Sequence, residues 1–195
     1  MTIEQIAASI KQRGGRTMPM LIGVEGFGGS GKTTLAQELA AALGDAYVIC
    51  IDDFIVKEKL AEPSWDAGAF DRDRLERQVL QPARHGQPIA YQRLDWGTNT
   101  LSDPVVVPAV TYLIIEGISA YHPSIERYYD FKIWVDTPLT IAKTRGQARD
   151  GSNENAAYWE LWAQNDITYQ QQFHPEQRAE FVFRNDERVA GSSQP

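Results

Sequence analysis

The sequence predicts an α/β fold of three layers, in which a mostly parallel central sheet is flanked by helices. Two observations predict this class: apolar runs of strand length recur along the chain, and segments with helical spacing of apolar residues lie between them. Such alternation is typical of parallel strands joined by crossover helices. The five runs interpreted as strands are 18–26, 46–51, 111–117, 130–136 and 179–185.

Helices are predicted from apolar residues that recur every three or four positions and from residues that start or stop a helix. Proline fits the first turn of a helix but disrupts its interior, and glycine commonly follows the last turn. The first predicted helix contains Ile3, Ile6, Ala7 and Ile10 and ends at Gly14–Gly15, and the second contains Leu35, Leu39 and Leu43 and ends at Gly44. The third is a charged surface helix over 66–81 that Pro82 stops. The fourth has Thr137 as its N-cap and Pro138 at its first position.

Composition and charge limit the function classes. The chain has 195 residues, which fits one domain, and its net charge of −7 disfavours binding to nucleic acid, because that mode needs a basic face. The lone cysteine, Cys50, cannot form an intrachain disulfide and indicates a reducing compartment. The apolar runs are too short to span a membrane and the N-terminus lacks a signal-peptide pattern, so a cytoplasmic protein is predicted.

A glycine-rich loop is the strongest motif. GFGGSGKTT at 26–34 matches G-x-x-x-x-G-K-[ST], between a predicted strand and a predicted helix. Backbone N–H groups of such a loop bind phosphate oxygens, and the following helix N-terminus adds positive potential. The motif predicts the P-loop NTPase fold with ATP as co-substrate. The predicted nucleotide-binding residues are Gly26, Phe27, Gly28, Gly29, Ser30, Gly31, Lys32, Thr33 and Thr34, with Thr33 also a ligand of Mg²⁺.

Carboxylates follow two of the predicted strands. Glu116 ends one apolar run, and Asp52 and Asp53 follow another. Ligands collect at the carboxyl ends of strands in open α/β sheets, so Glu116 is a candidate to hold Mg²⁺ or its water shell. Successive strand residues point to opposite faces, so only one of the two aspartates should reach the reacting centre. A kinase needs such a group to take the proton of the attacking hydroxyl, and strand alternation alone leaves open which aspartate serves.

The ordered set GFGGSGKTT, IDDF, IIEGI, VDTP and R-x-x-x-R-D resembles the uridine kinase–phosphoribulokinase group of P-loop kinases, from about residue 20 to residue 185. The paired aspartates also resemble nicotinamide riboside kinases. The resemblance implies an ATP-dependent kinase that uses Mg²⁺ and phosphorylates a hydroxyl of a nucleoside or ribosyl-type acceptor. It implies that Asp52 is the catalytic base and a metal ligand, that Asp53 is a structural neighbour, and that Glu116 lies on the magnesium or substrate side.

The resemblance also implies roles for residues outside the strand ends. Asp66 in SWDAGAF matches the family's contact to sugar hydroxyls. Arg145 and Arg149 match the family's lid helix, where residues four apart share a face. Together with Lys32, these arginines would neutralise the charge that develops during phosphoryl transfer.

The chain departs from the family in the base-reading segment and in the lid. The nearest match to the family's base-reading segment is RLDWGTNTL. Asp95 and Trp96 in this stretch are predicted substrate contacts, but no histidine follows them. Trp96 either stacks on a planar ring or packs a loop onto the domain. The later lid arginines are absent from RDGSNENAAYW. Two alternatives therefore stay open: a kinase for a pantothenate-like or sugar-like acceptor, and a regulatory nucleotide-binding ATPase module.

The predicted organisation is a single kinase domain over 1–195, with an acceptor-binding insertion at 54–108, a lid region at 138–155 and a disordered tail at 190–195. An aromatic stripe at helical spacing favours core or subunit-interface packing over a ligand site, so a homo-oligomer also stays open. The stripe comprises Trp159, Trp162, Tyr169 and Phe173.

Overall fold

The computed structural model describes residues 2–13, 19–151 and 155–186. Its central sheet consists of five parallel strands. The strand order is β2-β7-β1-β8-β9, and every neighbouring pair is parallel. Two short antiparallel pairs, β3 with β6 and β4 with β5, lie outside this sheet. In chain order the strands are β1 (Met20–Gly26), β2 (Ala46–Cys50), β3 (Ala90–Tyr91), β4 (Leu94–Asp95), β5 (Thr100–Leu101), β6 (Val105–Val106), β7 (Tyr112–Glu116), β8 (Phe131–Asp136) and β9 (Phe181–Arg184).

Helices cover both faces of the sheet, which confirms the predicted three-layer fold. One core cluster joins α1 and α2 to one face, and the other joins the 54–108 segment and α6 to the opposite face. The apolar strands are buried on both faces, as expected for a parallel sheet. The helices are α1 (Ile3–Gln12), α2 (Lys32–Leu43), α3 (Arg72–Leu75), α4 (Gln81–Arg84), α5 (Leu139–Asp150), α6 (Trp159–Phe173) and α7 (Pro175–Arg178).

The predicted helix over 66–81 is wrong at both ends. Helical structure begins at Arg72, where the Asp71 side chain accepts a hydrogen bond from the backbone N–H of Arg74, and it continues through a π-helical turn (Glu76–Leu80) into α4. Pro82 does not stop the helix. It lies directly after the π-helical turn, which interrupts the regular hydrogen-bond ladder, and the helix continues to Arg84.

The cap predicted for α5 also differs. Pro138, not Thr137, is the N-cap residue, and no side chain caps the helix. The Thr137 hydroxyl instead donates to the Ser30 carbonyl at 3.0 Å, which fastens the glycine-rich loop to the end of β8.

The register of the sheet brings the glycine-rich loop and the carboxylates that follow the strands to one edge of the sheet. Cys50, Val24 and Glu116 are neighbours across β2, β1 and β7, so the chain leaves all three strands at the same edge. The glycine-rich loop follows β1 at this edge, and a 3₁₀ turn (Ile51–Phe54) follows β2. Among the described residues, no helix is long and apolar enough to cross a membrane. The predicted tail at 190–195 and residues 152–154 of the lid lie outside the described ranges.

Candidate active site

The glycine-rich loop has the cradle geometry that the motif predicts. Gly29 and Gly31 have φ angles of 79° and 94°, in the left-handed region that favours glycine. A Cβ atom at Gly29 would lie 2.1 Å from the Ala142 carbonyl oxygen, so the loop packs directly on the backbone of α5. The Lys32 ammonium donates to the Phe27 carbonyl at 2.8 Å and therefore curls back over the loop.

A wide cleft opens from this loop across the carboxyl edge of the sheet. The part of its interior that water can enter measures about 130 Å³. Of the predicted nucleotide-binding residues, Gly28, Gly29, Lys32 and Thr33 line it. The other described lining residues are Asp52, Ile55, Leu60, Trp65, Phe70, Trp96, Glu116, Gly117, Ile118, Arg149, Asn155, Trp159 and Trp162.

Glu116 and Thr33 meet beside the loop. The Thr33 hydroxyl donates to Glu116 Oε1 at 3.1 Å, and Glu116 is 1% exposed. Burial raises the pKa of Glu116, with a smaller raising effect from Asp52, while Lys32 lowers it. The carboxylate and hydroxyl oxygens here are ligands that Mg²⁺ prefers, and a cation would offset the carboxylate charge, so these residues fit a magnesium ion.

The two neighbouring aspartates point apart, but strand alternation is not the reason, because both lie in the 3₁₀ turn Ile51–Phe54 beyond the end of β2. Asp52 opens into the cleft, where burial by the surrounding walls raises its pKa and the charges of Lys32 and Arg149 lower it. Asp53 points away from the cleft. Its Oδ2 accepts from the Tyr91 hydroxyl at 3.1 Å and lies 3.5 Å from Arg93 Nε, a contact set that anchors the insertion.

The two predicted lid arginines occupy different places. Arg149 lines the cleft, donates from Nε to Asp150 Oδ1 at 2.8 Å, and lies 6.0 Å from the centre of the Trp159 ring. Arg145 donates to the Asn185 carbonyl at 2.9 Å and lines a neighbouring depression instead. Arg149 borders both spaces, so the two arginines flank one continuous surface of α5.

Two of the four predicted acceptor contacts, Asp66 and Asp95, lie outside the described cleft lining, whereas Trp96 and Glu116 belong to it. Asp95 accepts from the backbone N–H groups of Gly97 and Thr98 in a surface turn, whereas Trp96 lines the cleft.

Asp66 contacts His122 and Arg72 and does not line the described cleft. Its Oδ1 lies 2.9 Å from His122 Nε2 and 3.5 Å from Arg72 Nη1. Burial and the Arg72 charge lower the pKa of His122 to about 4, so the imidazole is neutral at pH 7. The sequence offered no reason to single out His122 as a partner of Asp66.

Asp166 is a site residue that the sequence reasoning missed. Its two carboxylate oxygens accept from the Gly28 N–H and from Trp65 Nε1, both at 2.8 Å, so it joins the phosphate loop to the cleft wall. The residue is 4% exposed, and burial raises its pKa to about 6. Nothing in the pattern around position 166 marks it, because its partners are 138 and 101 residues away.

The aromatic stripe on α6 is divided between two environments. Trp159 is 3% exposed and Trp162 packs against a core cluster, as the packing interpretation expected, and both also line the cleft. Tyr169 and Phe173 instead pack in the core, against His122.

Comparison with known proteins identifies the class of protein as the small-molecule kinases with a P-loop. Such kinases are phosphotransferases that use ATP as co-substrate and a hydroxyl group as acceptor. The chain is 31% identical over 166 residues to a uridine kinase of Latilactobacillus sakei subsp. sakei (strain 23K), covering 80% of this chain and 78% of that protein. A uridine kinase of Lactobacillus helveticus (strain DPC 4571) is 32% identical over 144 residues, 68% of each chain. The chain belongs to the uridine kinase family. No family model matches it.

Solved structures support the fold. A candidate fructose transport system kinase from Silicibacter sp. TM1040 superposes with a TM-score of 0.72 at 21% identity, covering 94% of this chain and 99% of that one. A possible uridine kinase from Bacillus stearothermophilus gives a TM-score of 0.69 at 21% identity, with 93% and 96% covered. The predicted P-loop kinase fold is therefore confirmed.

Proposed function

We propose that the protein transfers the γ-phosphoryl group of ATP to a hydroxyl of a small acceptor within the described cleft, with Asp52 as the group that takes the hydroxyl proton. The observation that carries this proposal is the meeting of Lys32, Asp52 and Glu116 in one cleft beside the glycine-rich loop. A module that only binds nucleotide needs the loop but not a carboxylate in the position of Asp52.

The proposed step requires few groups. The acceptor oxygen attacks the γ-phosphorus, its proton passes to Asp52, and the bond between the γ-phosphorus and the bridging oxygen of ADP breaks. Asp52 is exposed to the cleft, so its carboxylate is open to an acceptor hydroxyl. Lys32 and Arg149 hold the negative charge of the phosphoryl group, and Arg145 is proposed to contact the nucleotide from the adjoining depression.

Thr33, Glu116 and Asp52 are the residues proposed to hold Mg²⁺ or its water shell. When bound, the ion would reduce the negative charge of the phosphate groups. The proposed compartment is the cytoplasm, where ATP is available and the lone Cys50 stays reduced.

The acceptor has two candidate classes. A nucleoside or ribosyl compound is supported by the two uridine kinases that are about 30% identical to this chain. A non-nucleoside acceptor is supported by the cleft, whose described walls carry four tryptophans and no histidine.

Acceptor-dependent ADP release by the purified chain tests the kinase function. ATP and Mg²⁺ are supplied with uridine, nicotinamide riboside, pantothenate, a sugar alcohol or a simple aromatic alcohol, and the phosphate ester is identified by mass spectrometry. We expect at least one acceptor to raise ADP release well above the rate with ATP alone. ATP binding without any acceptor-dependent release would favour the regulatory module instead.

A further inference from the structure

Helix α6 holds the first part of the 54–108 insertion. Trp162 Nε1 donates to the Leu60 carbonyl at 3.0 Å, and Asn165 Nδ2 donates to the Glu62 carbonyl at 2.9 Å. These two bonds fix the insertion to the helix and involve no atom of the glycine-rich loop.

Asp166 is the residue of α6 that contacts both the insertion and the loop. Its Oδ2 accepts the Gly28 N–H, and its Oδ1 accepts the N–H of Trp65 Nε1, both at 2.8 Å. A Cβ atom at Gly28 would lie 3.6 Å from Oδ2, so the loop backbone packs directly against the acid. One buried side chain therefore sets the distance between the loop and the insertion.

Both partners of Asp166 are hydrogen-bond donors, which explains why an acid occupies this position. A carboxylate accepts at each of its two oxygens, whereas an amide has one acceptor oxygen and one NH₂ donor. An asparagine here would turn its NH₂ group towards either the Gly28 N–H or the Trp65 Nε1–H, and two donors cannot bond each other. The carboxylate satisfies both donors, and this offsets the cost of burying its charge.

A carboxylate beside a phosphate loop would repel ATP unless its own charge were offset. Burial raises the pKa of Asp166, and the Gly28 N–H and the Lys32 charge oppose that rise, so both groups stabilise the ionised acid. Backbone N–H groups of the loop bind phosphate only when they point inward together. A loop that is held in this shape before ATP arrives avoids the cost of ordering during binding.

We propose that Asp166 is a positioning residue for ATP, which holds the glycine-rich loop through Gly28 at a fixed distance from Trp65 of the insertion. Asp166 is not among the described residues that line the cleft, so it acts through the loop. The inference rests on the proposed function, in which this loop binds ATP. None of the motifs that carry the family resemblance includes position 166.

Two uncharged variants of similar side-chain size test the contact to the loop. Both are made together with Trp65→Phe, which removes the second donor. Asp166→Asn then keeps an acceptor for the Gly28 N–H, and Asp166→Leu keeps none. ATP affinity is measured by calorimetry with Mg²⁺ and without an acceptor. The leucine variant should bind ATP about tenfold more weakly than the asparagine variant, the effect of one lost hydrogen bond. Equal affinities would overturn the proposal.

Asn165→Leu, also made together with Trp65→Phe, is the matched control. Asn165 is as buried as Asp166 and precedes it on the helix, but its bond goes to the insertion and not to the loop. This variant should lower the urea midpoint yet leave ATP affinity within about threefold of Trp65→Phe alone. A loss of ATP affinity equal to that of Asp166→Leu would show that Asp166 contributes only to general stability.

A double-mutant cycle tests the need for two acceptor oxygens. Asp166→Asn removes the same charge with tryptophan or phenylalanine at position 65, so the effect of the charge cancels in the cycle. The substitution should weaken ATP binding about tenfold more beside Trp65 than in Trp65→Phe, because only there does the amide NH₂ group face a second donor. Equal effects in the two backgrounds would contradict the proposal.

Hydrogen exchange of the wild-type chain gives a measurement that depends on no variant. Without ATP, the Gly28 amide proton should exchange with solvent at least about tenfold more slowly than an unstructured amide, because Asp166 accepts it. Exchange at the unstructured rate would overturn the proposal.

The outcomes separate this inference from the function on which it rests. ATP binding that depends on position 166 as described, with no turnover of any acceptor, would leave the positioning role standing and overturn the kinase function. Acceptor turnover with ATP affinities that do not depend on position 166 would overturn only the positioning role. No ATP binding by the wild-type chain would overturn both.

Discussion

Glu25→Gln should stabilise the protein much more at pH 8 than at pH 5. Glu25 is 1% exposed on β1, and burial raises its pKa from 4.5 to about 7, against the lowering effects of the Tyr121 N–H, Tyr169 and Arg178. Because the folded-state pKa is the higher one, the native state binds more protons than the unfolded chain between these values. Wild-type stability is therefore greatest below pH 4.5 and falls as pH rises through 7.

The magnitude follows from the two pKa values. A rise from 4.5 to about 7 corresponds to about 3 kcal/mol, at 1.36 kcal/mol per pH unit. Glutamine keeps an oxygen that can accept the Tyr121 N–H, which Glu25 Oε2 accepts at 3.0 Å, but carries no charge. The variant should thus gain about 3 kcal/mol over wild type at pH 8 and only about 1 kcal/mol at pH 5, where most of the difference in proton binding has not yet been lost.

Urea denaturation at several pH values between 5 and 8 measures this difference. Other carboxyl groups titrate in the same range, Asp166 among them, so the informative quantity is variant minus wild type at each pH. Asp103→Asn is the control, because Asp103 is exposed. A constant difference between Glu25→Gln and wild type across the range would refute the reasoning.

Two further predictions concern the loop and its neighbour. Lys32→Met should weaken ATP binding about 10- to 100-fold, measured by calorimetry, because it removes one charge-assisted contact. The control variant Lys11→Met, on α1, should bind ATP normally. Equal ATP affinities in wild type and both variants would show that Lys32 does not contact the phosphates. Gly146→Ala should cost about 1–3 kcal/mol in urea denaturation, because its Cβ would lie 1.9 Å from the Trp159 ring. Gly97→Ala, whose Cβ would meet only Asp95 Oδ1 at 3.4 Å, should cost less, and a neutral Gly146→Ala would show that Trp159 moves freely.

The fold and the phosphate loop were predictable because their signals are local. The apolar runs of the strands, the glycine pattern of the loop and the apolar spacing of the helices can each be recognised within a window of about ten residues. These local patterns predict the sheet, the loop and α2. Strand geometry was the wrong reason for expecting Asp52 and Asp53 to point apart, because both lie in a 3₁₀ turn that follows β2, and the choice of Asp52 came from the family resemblance. Pro82 was misjudged because the π-helical turn before it, which the sequence pattern does not show, allows the helix to continue past the proline.

The cleft walls were not predictable, because they depend on contacts between distant segments. Asp166 meets Gly28 across 138 residues, and a buried acidic position on an amphipathic helix looks like an exposed one in sequence. Trp159 and Trp162 follow the helical spacing of core residues, and only the packing of α6 against the loop and the insertion turns them into the cleft. Asp95 matched a family position, yet its carboxylate caps a local turn.

The central claim is that Asp52, and not Asp53, takes the proton of the acceptor. The most direct measurement is the single-turnover rate of phosphoryl transfer in Asp52→Asn and Asp53→Asn, with ATP affinity measured on the same samples. Asp52→Asn should lower the rate by about 10²–10⁴, the usual contribution of a general base, with ATP affinity largely unchanged. Asp53→Asn should stay within about threefold of wild type, because its side chain contacts Tyr91 and Arg93 outside the cleft. Near-normal transfer by Asp52→Asn, or an equal loss in both variants, would contradict the account.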